Sequence, residues 1–115
     1  MIFSSLFGRS DPKASARNVG HDELQKALSD RSVTVVDVRE PHEFAAGHIP
    51  GAVNLPLSRF RPDQIPAGKP PVLICQAGAR SATALNKAHA AGATHVRHYP
   101  GGMSGWRASG GEVVR

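Results

Sequence analysis

Val33 to Val38, VTVVDV, constrains this chain more than any other stretch. It is β-branched and nearly all apolar, so it suits a pleated backbone and offers no face to water. Such a strand must be covered on both sides. That requirement points to a parallel sheet held between layers of helix.

The rest of the sequence supplies those layers. Val19 to Ser29 predicts a helix with Leu24, Ala27 and Leu28 on one face, and Asp22 and Glu23 near its positive end. After VTVVDV, Pro41 opens a short helix that Gly47 stops, and Pro50-Gly51 makes a turn. A short strand is expected at 52–55. Residues 56–70, with four prolines and one glycine, read as connection with room for one helical turn. Pro71 to Cys75 is a further apolar strand, and Ser81 to Ala91 a helix with Ala84, Leu85, Ala88 and Ala91 facing inward. Gly92 closes it. A strand at 95–99 and a helix at 103–108 complete the pattern. Strands alternating with helices predict an α/β domain, whose ligands sit beyond the carboxyl ends of the strands.

The totals fit that picture. A chain of 115 residues, 40% apolar, suits one domain. We expect a flexible N-terminal tail at 1–17 and the folded domain at 18–115. The apolar part of the tail is short and no basic residue precedes it, which fits a secretory signal poorly. Apolar runs are too short to span a membrane. Charge is uneven: residues 64–115 carry six basic groups and one acid, a net of +5. That half attracts small anions. No basic run is interleaved with aromatics, which counts against nucleic acid.

One cysteine, Cys75, allows no internal disulfide and suits a reducing, cytoplasmic setting. It opens CQAGARS, residues 75–81, between a strand and a helix. A tight loop there turns backbone N–H groups inward as an anion-binding nest. Gly78 permits positive φ, and Ala77 and Ala79 keep the rim low. The helix start and Arg80 add positive charge. These effects favour thiolate and lower the Cys75 pKa. A small core cysteine is the plainer alternative.

Three motifs in order resemble the rhodanese-like sulfurtransferases: CQAGARS, DVREPHEFAAGHIPGAVNLP at 37–56, and GGMSGW at 101–106. The likeness covers about 19–111. It implies a three-layer rhodanese-like domain, with about five parallel strands and helices on both faces. It also implies that Cys75 takes a sulfane sulfur from a small anionic donor such as thiosulfate, forming a persulfide. Backbone N–H groups of Gln76, Ala77, Gly78, Ala79, Arg80 and Ser81 would cradle that group, and Arg80 would hold the donor. Cyanide, a thiol or a protein would accept the sulfur. No metal or other cofactor is implied. Related phosphatases have a loop one residue longer, which argues against a phosphatase or arsenate reductase. Thiosulfate users often have basic residues inside the loop, whereas 76–79 here are QAGA. A sulfur carrier or regulatory module serving a protein partner is the alternative.

Asp37 and Arg39 point the same way in extended chain. They either support the cradle or fix the loop structurally, with Arg39 paired to Glu43. His48 is expected to bond to backbone and His42 to be exposed. His95 and His98 make a poor metal pair. Met103 and Trp106 are expected in the core or on the pocket wall.

Overall fold

The computed structural model describes residues 17–115. The expected tail at 1–16 lies outside the described residues, and Arg17, the last residue assigned to it, donates to Asn86 Oδ1 at 2.7 Å. The elements are α1 (His21–Asp30), β1 (Thr34–Asp37), α2 (Pro41–Ala46), β2 (Val53–Asn54), two 3-10 turns (Leu57–Arg59 and Pro62–Gln64), β3 (Pro71–Ile74), α3 (Ala79–Ala90), β4 (Arg97–His98) and α4 (Gly102–Ala108). The strands form one parallel sheet, ordered β2-β1-β3-β4. Four strands stand where about five were expected. The place of a fifth is taken by a single parallel bridge from Asn18 to His98.

β1 and β3 lie at the centre, in register Val35 with Val72 and Val36 with Leu73. Their side chains alternate across the sheet. On one face Val35, Val72 and Ile74 pack with Leu24 of α1 and with Met103 and Trp106 of α4. On the other, Val36, Leu73 and Cys75 pack with Ala84, Leu85 and Ala88 of α3. The near-continuous apolar character of β1 follows from these two covers. Leu24 is wholly buried, which contributes about 1.5–3 kcal/mol; Leu24→Ala would remove that and leave a cavity under the sheet.

Local signals place the ends. Pro41 is at the first turn of α2, and Glu40 and Glu43 form a reciprocal capping box. α1 ends on Arg31 in the left-handed region, φ 57°, where its N–H reaches back to Leu28 O and Ala27 O. The expected strand at 95–99 narrows to two residues, because His95 lies outside the ladder and is exposed.

Candidate active site

β1 and β3 are neighbours whose carboxyl ends open on the same edge, beside the point where strand order reverses. Cys75 follows β3 directly. It shares a face with Leu73, so its side chain turns toward α3, and the residue is 1% exposed.

The loop folds back over the sulfur. The Gly78 N–H donates to Cys75 Sγ at 3.1 Å, and Ser81 Oγ stands 3.5 Å from it. Gly78 takes φ 102°, and a Cβ there would lie 2.5 Å from the Pro100 carbonyl oxygen. Only glycine fits that crossing. α3 begins at Ala79, two residues ahead of the expected start, so Arg80 stands in its first turn.

The thiol responds to opposing influences. Burial pushes it up. The Ser81 hydroxyl and the backbone N–H groups of Ser81, Gly78 and Ala77 outweigh burial, so the Cys75 pKa lies below its ordinary value. The expected lowering is present, carried chiefly by hydrogen bonds.

Arg80 has another engagement. Its Nη1 and Nη2 donate to the two carboxylate oxygens of Glu43, at 2.7 and 2.9 Å. This fork holds Glu43 at about 2, through the Arg80 hydrogen bonds first, against a smaller opposing push from burial. The expected Arg39–Glu43 pair is therefore corrected. Arg39 turns the other way, onto Asp37, with Nε 3.0 Å from Oδ1 and Nη2 2.8 Å from Oδ2. Nη2 also donates to Gly47 O at 2.7 Å. Asp37, two residues away on the same face of the extended chain, takes the Arg39 guanidinium, and Arg80 takes Glu43. Asp37 and Arg39 fix the end of β1 against α2, and Asn54 Nδ2 completes the knot on the carbonyls of Asp37 and Arg39.

The GGMSGW segment clamps the loop from the opposite side. Met103 N donates to Cys75 O at 2.8 Å and Ser104 N to Gln76 O at 3.1 Å, while Gln76 Nε2 donates to Ser104 Oγ at 3.0 Å. Gly102, at φ 63°, sits so close to the Gln76 carbonyl that a Cβ would overlap it. Met103 and Trp106 are buried core residues, and Trp106 Nε1 donates to Glu112 O. His48 hydrogen-bonds the Phe44 carbonyl and stacks on the Phe44 ring, and His42 is exposed.

One residue that the sequence suggested only as a poor metal ligand joins the site. His98 is buried, and its Nδ1 lies 2.9 Å from Ser81 Oγ. Pairing of His98 with Leu73 in the parallel register puts both on the face that Cys75 shares. The available signal was a polar residue within an otherwise inward-facing strand position.

A model of the rhodanese-like domain matches residues 20–109. The chain belongs to the rhodanese-like domain family. Within that family it is 43% identical over 94 residues to the uncharacterized protein slr1261 of Synechocystis, covering 80% of this chain and 52% of that protein. The chain thus spans about half the length of that relative. It is 34% identical over 101 residues to the thiosulfate:glutathione sulfurtransferase of Saccharomyces cerevisiae, covering 74% of this chain and 72% of the yeast protein. The human single-domain sulfurtransferase superposes with a TM-score of 0.69 at 33% identity, covering 81% of this chain and 96% of the human one. The rhodanese-like fold, a parallel sheet between helices, is the one the three sequence motifs implied. Among the described residues no helix is long and apolar enough to cross a membrane.

Proposed function

We propose that this rhodanese-like protein is a sulfurtransferase in which Cys75 carries the sulfur. The observation that carries the reading is the convergence of the Gly78 N–H and the Ser81 hydroxyl on a cysteine whose pKa is lowered. These groups favour any sulfur anion at that point, whether thiolate or terminal persulfide.

In the first step the Cys75 thiolate attacks the outer sulfur of thiosulfate. A new S–S bond forms, the old one breaks, and sulfite leaves with the electron pair. Cys75 then holds a persulfide anion, cradled by the N–H groups of the 76–81 loop. In the second step cyanide or a thiolate attacks the terminal sulfur, and Cys75 returns as thiolate. This is covalent catalysis in two halves, with ping-pong kinetics.

Burial of Cys75 selects donors whose reactive sulfur projects ahead of their bulk, as in thiosulfate or an alkyl persulfide. The Arg80 fork is taken by Glu43, and 76–79 carry no charge. The donor sulfonate is therefore left chiefly to backbone N–H groups and the positive half of the chain. The exposed alanines 77 and 79 leave the rim open enough for a protein partner, which supports the sulfur-carrier alternative.

Intact mass after incubation with thiosulfate tests the reading. Addition of one sulfur atom, absent in Cys75→Ala, is expected. Turnover with cyanide then separates the enzyme from a carrier that only a protein discharges. If thiosulfate, polysulfide and glutathione persulfide all leave the mass unchanged, the proposal fails.

A further inference from the structure

Ser81 has one hydroxyl hydrogen and three neighbours that compete for it. They are Cys75 Sγ at 3.5 Å, His98 Nδ1 at 2.9 Å and Gly78 O at 3.2 Å. A thiol needs an acceptor, and a thiolate or persulfide needs a donor. Ser81 must therefore reverse its direction whenever Cys75 changes state, and an isolated hydroxyl would as readily turn to the Gly78 carbonyl. His98 is placed to decide the matter. A neutral imidazole has one N–H and one bare nitrogen, and its tautomer fixes which of them faces Ser81. With Nδ1 bare, the chain runs from the thiol to Ser81 to His98. With Nδ1 protonated, it runs from His98 to Ser81 to the sulfur anion.

We propose that His98 is a positioning residue for Cys75 that acts through Ser81, donating from Nδ1 to the Ser81 oxygen and so turning the hydroxyl hydrogen onto the sulfur in its thiolate and persulfide forms. The thiol proton passes to the Ser81 oxygen, the Ser81 proton to Nδ1 and the Nε2 proton to water, so the ring is neutral before and after. Burial, with the Arg17 charge nearby, pushes the His98 imidazole below its ordinary value and keeps that neutral form dominant at neutral pH. The other charge near the sulfur is Arg80, already paired with Glu43.

The inference rests on Cys75 being the reacting sulfur, and its test does not need sulfur transfer. The rate of Cys75 alkylation by iodoacetamide is followed against pH. In His98→Leu the midpoint is expected to rise by about one unit, a roughly tenfold loss of thiolate at neutral pH. Ser81→Ala should raise it as far, His98→Asn should restore most of the loss, and His98→Leu placed on Ser81→Ala should add nothing. An unchanged midpoint in His98→Leu, or an equal further rise in the double variant, overturns the proposal. Nitrogen NMR of the wild-type ring covers the case of a variant that does not fold. The ring should pass from the Nε2–H to the Nδ1–H tautomer as Cys75 ionises, and a fixed tautomer overturns the proposal equally. A normal shift of the midpoint in a protein that never gains sulfur would sink the function and leave His98's role intact. Sulfur gain with no shift would do the reverse.

Discussion

Two arginines pair with carboxylates at the carboxyl edge of this sheet, and they do different work. Asp37–Arg39 is sealed, with side chains 0% and 3% exposed, and ties β1 to α2. Glu43–Arg80 is open, at 25% and 35%, and ties α2 to the cysteine loop. The first has no water to replace a lost partner. The second does. The contrast teaches that charge near a reactive cysteine need not touch substrate: one pair holds the scaffold, and the other holds the loop against it.

Breaking the sealed pair has the largest expected effect. Asp37→Ala leaves a buried guanidinium without its carboxylate and should cost about 3–5 kcal/mol. Urea denaturation measures it, and a loss under about 1 kcal/mol would show that the pair is not sealed. Glu43→Gln should cost only about 1 kcal/mol, yet reduce kcat/KM for thiosulfate by about tenfold or more, because the loop loses its tie. Steady-state kinetics beside the same urea titration separates the two effects.

pH sharpens the comparison further. Folding lowers the Glu43 pKa to about 2, so the stability that the open pair supplies is fully present above about 4.5. It is lost as pH falls toward 2. The stability gap between wild type and Glu43→Gln should close over that window, by urea titration at a series of pH values. The smallest effect belongs to the surface pair Lys26–Asp30, where Lys26→Ala should change stability by less than about 0.5 kcal/mol.

What could be read from the chain follows the range over which its causes act. VTVVDV announces a strand buried on both faces because each residue carries its own share of the signal. Pro41, Gly47 and Gly78 mark ends and turns through their own backbones. Cys75 and its loop were legible as a local motif. The partners of Arg80 and Arg39 were not, because Arg80 meets Glu43 across 37 residues and only packing decides between competing carboxylates. His98 was hidden for the same reason: its link to Ser81 spans 17 residues and depends on the β3–β4 register. The shortfall from five strands to four reflects Asn18 meeting β4 through a single bridge, too little to count as a ladder.

The clamp on the cysteine loop has a thermodynamic consequence. Met103 and Ser104 hold its carbonyls, Glu43 holds its arginine, and Gly102 presses against its backbone. The loop is ordered during folding, so a sulfur donor does not have to order it on arrival. Association with a small anion should then show little loss of chain entropy and little change in heat capacity, and donors should be ranked by fit to a fixed mould.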